Sequence, residues 1–291
     1  MRRPMPAGTL RRSALTAMTC ALSILALAAC GTTSSSARST ATTAHSTTTT
    51  AATKTSTTVP AQIAVSLYFV RGADLGVADR SIASSADPRV TALQALVSGP
   101  TPSEAAAGLG TWIPPGTVVR GLQVRGEVAT VNFSPQFVEA GPPAVLSARL
   151  AQVVYTLTTF PNVERVTLLV AKSPVTSFGG VDMSSPIGRS QVTAALPGVL
   201  LENPAVGSSV SGSFHISGIT SINGTYDIQL LDSTGGLLAS VTNTAVTGAT
   251  FSQTIPFRRA YTGTGSIRVF ARPADTSQPV EATQFTVQVN S

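Results

Sequence analysis

The stretch Asp87-Pro88-Arg89-Val90-Thr91-Ala92-Leu93-Gln94-Ala95-Leu96-Val97-Ser98-Gly99-Pro100-Thr101-Pro102-Ser103-Glu104 carries its own punctuation. Asp87 before Pro88 reads as an N-cap followed by proline at the first helical position. Val90, Leu93, Leu96 and Val97 then fall on one helical face, and Gly99-Pro100 stops the helix. Thr101-Pro102-Ser103-Glu104 has the spacing of a capping box opening one further turn, which Gly108 closes.

Upstream, Ile63 to Val70 is apolar and β-branched and predicts a buried strand, and Gly76 to Ala83 predicts a weaker second one. Downstream, Thr117 to Arg125 and Val128 to Phe133 predict a hairpin turning at Gly126-Glu127. Ala144 to Thr159 predicts a second helix with Leu146, Leu150, Val153, Val154 and Leu157 on one stripe, and Arg165 to Ala171 a last strand. The order predicts an α+β sandwich, one sheet with two helices on one face. On that reading Ser147, Arg149, Gln152 and Thr156 form the solvent side of the second helix, and Arg149 and Gln152 are candidate contacts for a partner.

From Val199 the pattern is strands alone. Seven are expected in 93 residues, among them Val199 to Glu202, Thr225 to Leu231 and Glu281 to Val289, with turn chemistry at Asn223-Gly224 and Ser233-Thr234-Gly235-Gly236. That predicts an all-β immunoglobulin-like sandwich over 199–291, its centre filled by Phe214, Phe251, Phe257 and Phe285 in the absence of a cysteine pair. The Gly/Pro/Ser-rich segment 173–198 reads as a connector, which leaves 60–172 for the α+β domain.

The other end of the chain reads as an address. Arg2, Arg3, Arg11 and Arg12 precede a short apolar run, Ala14 to Ala29, which ends in Leu27-Ala28-Ala29-Cys30-Gly31. This resembles the bacterial lipobox, which predicts a lipoprotein signal peptide over 1–29 and acylation of Cys30, palmitate being one such chain. In residues 31–59, 19 of 29 are Thr or Ser, so 30–59 is expected to be a disordered tether. The expected location is the extracytoplasmic face of the cell membrane, anchored through the lipid on Cys30. The formal charge of +6 falls to +2 without the four leader arginines, too little for a nucleic-acid footprint.

Several ordered motifs resemble one family, the sporulation and spore-germination domain called GerMN. They are Thr91 to Glu104, Gly108-Leu109, Ile113-Pro114, Val128-Ala129-Thr130-Val131-Asn132-Phe133-Ser134 and Val154 to Pro161. The resemblance covers roughly Ile63 to Lys172. It implies a non-catalytic module related to ring-building domains of secretion-like assemblies and found in envelope lipoproteins. Trp112 departs from the family, which more often has a small residue there. It reads as packed under its loop, with an exposed contact as the alternative. Leu201-Glu202-Asn203-Pro204, Gly207 and Ser213 to Gly218 resemble the immunoglobulin-like domain of spore germination, which often follows GerMN.

Chemistry-bearing residues are sparse. His215 lies between Phe214 and Ile216 on a predicted strand and reads as a solvent-side residue. Asp74, Asp79 and Asp87 lack the density and glycine of a calcium loop and read as turn or cap residues. No catalytic, cofactor or metal residues are assigned, and no cofactor is expected. The function expected is a lipid-anchored, non-enzymatic module that docks another envelope protein. The alternative is a binder of cell-wall glycan or lipid, for which Trp112 and Tyr261 are the plausible aromatic platforms.

Overall fold

The computed structural model describes residues 61–84, 87–276 and 278–290. The signal peptide over 1–29, the acylated Cys30 and the tether over 30–59 lie outside the described residues.

β1 (Gln62–Arg71) and β2 (Asp74–Ala83) form an antiparallel hairpin in continuous register, so the second strand starts two residues earlier than its apolar pattern suggests. α1 (Pro88–Val97) begins where the sequence places it: the Asp87 carboxylate accepts the Arg89 N–H at 3.0 Å and its Nε at 2.7 Å. Gly99, at φ +82°, ends it in the left-handed region. α2 (Pro102–Ala106) is opened by the Thr101/Glu104 capping box. β3 (Val119–Arg125) and β4 (Val128–Phe133) pair antiparallel, and α3 (Pro143–Leu157) crosses over to β5 (Arg165–Val170), which runs parallel to β4. β6 (Ser173–Pro174) completes the order β3-β4-β5-β6.

The α+β class holds, but its layering differs from a single sheet backed by two helices. The β1-β2 hairpin is separate from the four-stranded sheet, and α3 packs against β1, α1, β5 and the segment that follows the sheet. Every residue from Ser147 to Leu157 is therefore buried, including Arg149, Gln152 and Thr156. The polar positions of α3 are covered by a second layer, which the helix's own periodicity does not reveal.

Segment 173–198 is also packed rather than a bare connection. β7 (Ser177–Phe178) and β8 (Val181–Asp182) form a small hairpin, two 3₁₀ turns follow at Arg189–Gln191 and Thr193–Ala195, and Phe178, Met183, Ile187 and Val192 are buried. Gly179 sits so close to α3 that a Cβ would lie 2.6 Å from the Ser147 nitrogen, a position that tolerates no side chain.

The rest is a two-sheet sandwich. β9 (Val199–Asn203), β11 (Phe214–Thr220) and β14 (Thr250–Ile255) form one sheet in the order β14-β11-β9. β10 (Ser209–Ser211), β12 (Gly224–Leu231), β13 (Leu237–Ala245), β15 (Thr262–Pro273) and β16 (Val280–Asn290) form the other in the order β10-β16-β15-β12-β13. Only β10 runs parallel, against β16, as a short strand on the edge of an immunoglobulin-like arrangement. Phe214 and Phe285 are buried as expected, whereas Phe251 and Phe257 are only partly buried. Phe251 packs on Tyr226 at 4.9 Å between the sheets, and Ile228, Leu230, Ile267 and Val269 fill most of the centre.

The two halves meet along a seam. The Val206 N–H donates to the Val77 carbonyl at 3.0 Å, and the Arg71 guanidinium donates to the Gln284 carbonyl at 2.6 Å while lying 5.6 Å from the Phe285 ring centroid.

Candidate functional site

The two polar side chains expected on the surface of α3 instead brace a loop from below. Arg149 donates from Nε to the Trp112 carbonyl at 2.8 Å and from one terminal nitrogen to the carbonyls of Phe137 (2.7 Å) and Glu139 (2.8 Å). Its guanidinium lies 5.7 Å from the Phe178 ring centroid, and burial draws its pKa below the usual arginine value. Gln152, fully buried, accepts the Trp112 N–H at 2.9 Å and donates to Thr111 Oγ1 at 3.1 Å and the Tyr68 carbonyl at 3.4 Å. Both backbone polar groups of Trp112 are thus held by one helix.

What this bracing holds up is apolar. Trp112 is 40% exposed, Val118 54% and Val138 38%. The same guanidinium binds the Trp112 carbonyl and the carbonyls of Phe137 and Glu139 on either side of Val138, and the Val118 N–H donates to Ser134 Oγ at 2.9 Å, at the start of the turn that carries Val138. Pro114, Pro115, Pro135 and Pro142 stiffen these loops. Of the two readings of Trp112, the exposed one describes the structure. Arg149 and Gln152 are buried and form no docking surface; they hold the loop that carries Trp112. The exposed Val118 and Val138 were missed because Val118 stands at the start of a stretch that reads as a strand and Val138 follows Phe137 in a short turn, and neither pattern marks an exposed side chain. Arg149 signalled itself only as a charge inside an apolar helix.

The other residues singled out in the sequence are occupied elsewhere. Glu104, in the Thr101-to-Glu104 motif, is buried and paired with Arg80, whose guanidinium also donates to the carbonyls of Gly99 (2.9 Å) and Ala95 (3.3 Å). Burial alone would raise Glu104; its bonds from Arg80 and Thr101 prevail and hold it below the usual carboxylate value. The motif is an architectural clamp. His215 is exposed on β11, its Nδ1 3.0 Å from Thr254 Oγ1. Asp79 accepts from Ser66 Oγ, Asp87 caps α1 and Asp74 sits at the hairpin end, so the three do not converge. Among the described residues, no three His, Cys, Asp or Glu side chains gather to hold a metal. The Tyr261 hydroxyl accepts from the Ser233 N–H at 3.2 Å and donates to the Thr264 carbonyl at 2.8 Å, which ties that aromatic down.

A polar cluster closes the seam. The Tyr68 hydroxyl donates to Glu202, and Arg189 donates to Glu202 at 3.0 Å and to Thr158 Oγ1 at 2.8 Å. The Arg189 guanidinium lies 4.6 Å from the Tyr155 ring centroid and 5.4 Å from that of Tyr68. Burial, then the neighbouring Glu202 charge, pushes the Tyr68 phenol well above its ordinary value. The cluster offers a satisfied network rather than a nucleophile or base.

Fold and site together define an α+β module joined to an immunoglobulin-like sandwich and presenting a braced aromatic. Residues 66–176 match the family model described as "Sporulation and spore germination" (Germane), and the α+β half is a Germane domain. No curated protein matches the chain. Among solved structures, the first GerMN domain of the sporulation protein GerM from Bacillus subtilis is similar at 20% identity (44% of this chain, 98% of that one, TM-score 0.39). The tandem GerMN domains of the same protein are similar at 17% identity (65% of this chain, 62% of that one, TM-score 0.42). A putative lipoprotein from Clostridium perfringens is similar at 24% identity (44% of this chain, 89% of that one, TM-score 0.32).

Proposed function

We propose that this chain is a non-catalytic docking module at the outer face of the cell membrane, anchored through a lipid on Cys30, with Trp112 at the centre of the surface that binds another envelope protein. One observation carries the reading: two buried polar side chains of α3 are committed to holding Trp112 in an exposed position. A rigid, half-exposed tryptophan with apolar neighbours is the usual composition of a binding hot spot, where one anchor supplies most of the affinity. The Germane family, named for sporulation and germination, supports an envelope-associated, non-enzymatic role. Leu27-Ala28-Ala29-Cys30 supports the anchor and residues 31–59 the reach.

The test is co-purification after in-cell crosslinking with the wild type and with Trp112→Ala/Val138→Ser. The double variant is expected to keep its unfolding midpoint and lose its partner by about tenfold or more. Identical partners in identical amounts would remove Trp112 from the interface. Cys30→Ala is expected to move the protein from the membrane fraction to the soluble one, and unchanged fractionation would refute the anchor.

A further inference from the structure

A second surface lies on the sandwich, away from Trp112. Along β15 the residues alternate cleanly: Ile267, Val269 and Ala271 are buried, and Arg268, Phe270 and Arg272 take the outward positions between them. On the neighbouring β12, Gln229, Asp227 and Thr225 stand opposite these three in register. Phe270 is therefore a half-buried aromatic on the solvent face of a sheet, and it is not among the side chains packed against the core. It rims a shallow groove of about 330 Å³ whose lining includes Thr225, Asp227, Thr242, Arg272 and Pro279.

The polar groups of this face are unevenly satisfied. Asp227 is held in place, accepting from Gln229 Nε2 at 2.8 Å and from Thr242 Oγ1 at 3.2 Å. Among the described residues the guanidiniums of Arg268 and Arg272 have no hydrogen-bond or ion-pair partner, and Arg268 Nε is the one buried side-chain polar atom left without one. A buried donor left unmatched is unfavourable unless something outside the chain completes it. Arg149 and Arg189, by contrast, have their donors engaged within the fold.

We infer that the Arg268–Phe270–Arg272 row is a binding site for a polysaccharide in which carboxylate-bearing sugars alternate with neutral ones. Four residues of strand place the Cα atoms of the two arginines about 14 Å apart, with the aromatic midway. The complement of that row is an acid, an apolar ring face and a second acid. Guanidinium forks match carboxylates in geometry as well as charge. A pyranose ring offers a C–H face to Phe270 and hydroxyl donors to Asp227, a carboxylate that a uniformly anionic ligand would leave repelled. Phe and Arg also occur at the centres of protein interfaces, but Asp is depleted there, and Asp227 stands opposite Phe270 in the middle of this row. The site does not depend on the Trp112 surface, and either can fail without the other.

The test is titration of the full chain with peptide-free glycan strands of alternating N-acetylglucosamine and N-acetylmuramic acid. Neutral chitohexaose and polyglutamate serve as comparators. The glycan strands are expected to bind at least tenfold tighter than chitohexaose, and Phe270→Ala to weaken them at least fivefold. Arg268→Gln/Arg272→Gln is expected to erase the preference over chitohexaose. Arg272→Gln alone, at an exposed position, is expected to weaken binding with an unchanged unfolding midpoint. The inference is overturned if the strands do not bind, if chitohexaose binds as well, if polyglutamate binds in their place, or if Phe270→Ala and Arg272→Gln bind like the wild type.

Discussion

In the Germane domain the polar side chains of α3 turn inward, whereas in the sandwich an aromatic and two arginines of β15 turn outward. Arg149 and Arg268 show the difference at one functional group. The first binds three carbonyls and disappears into the core; the second keeps a buried nitrogen with nothing to bind. A strand has two faces set by a period of two, so once one face is known to be core the other must meet solvent or a ligand. A helix has a continuous circumference, and how much of it is covered depends on what the rest of the chain brings. For α3 the β1-β2 hairpin and the turn at Thr193–Ala195 bring a second layer.

The sharpest break of this comparison is Arg149→Glu/Gln152→Glu. On a solvent-facing helix it would be silent. Here it buries two carboxylates among carbonyls, at a cost on the order of 5 kcal/mol or more, enough to unfold a domain of ordinary stability. Arg149→Met leaves three carbonyls unmatched and is expected to cost roughly 3 kcal/mol in urea denaturation. A double variant with a wild-type midpoint would return α3 to the surface.

Legibility followed the same division. Asp87 and Gly99 announced the ends of α1, and the Thr101/Glu104 box announced α2, which runs over Pro102–Ala106 where Glu104 to Ala107 was expected, because capping is local chemistry between groups within four positions of each other. The strands of the sandwich were legible from alternation, and Gly212, at φ +68°, marks the break between β10 and β11. What stayed hidden was set by distant partners. Segment 173–198 reads as a connector by composition, yet Phe178 stacks at 5.7 Å on Phe137. Trp112 was singled out, but its exposure depends on Arg149 and Gln152, 37 and 40 positions away.

The seam is the next test, since it decides whether the two regions behave as one. Arg189→Met removes the cation that faces Glu202; both side chains are about a quarter exposed, so the expected loss is only about 1–2 kcal/mol. The wild type is expected to unfold in one transition seen alike by tyrosine fluorescence and far-ultraviolet dichroism. Two separate transitions would make the halves independent. Tyr68 adds a pH signature. In the unfolded chain it ionises near pH 10, whereas the folded seam keeps it neutral beyond that. Its contribution is thus present below about pH 10 and lost as the pH rises further. Tyr68→Phe is expected to flatten the decline in stability above pH 10, and an unchanged decline would take Tyr68 out of it.

The smallest effect expected compares the two regions in acid. In the sandwich, the Asp232 carboxylate accepts from Thr234 Oγ1 and N–H at 2.7 Å, from the Gly236 N–H at 2.8 Å and from Arg259. These bonds, led by that of Thr234, hold its pKa at about 2. In the Germane domain Asp87 is lowered chiefly by Arg89, and Glu104 by Arg80 and Thr101 against the cost of burial. A carboxylate whose pKa is lower in the folded chain than the ordinary value of about 4 binds fewer protons there than when unfolded. Its stabilisation is therefore complete above about pH 4 and is lost as the pH falls toward 2. Asp232→Asn is expected to lower the midpoint at neutral pH and to reduce, without abolishing, the slope between pH 4 and 2, because Asp87 and Glu104 still contribute theirs. The check is the urea midpoint measured across that range for wild type and variant. If the variant keeps the full slope, the acid response belongs to the Germane domain alone, and the turn at Asp232 holds its shape without its charge.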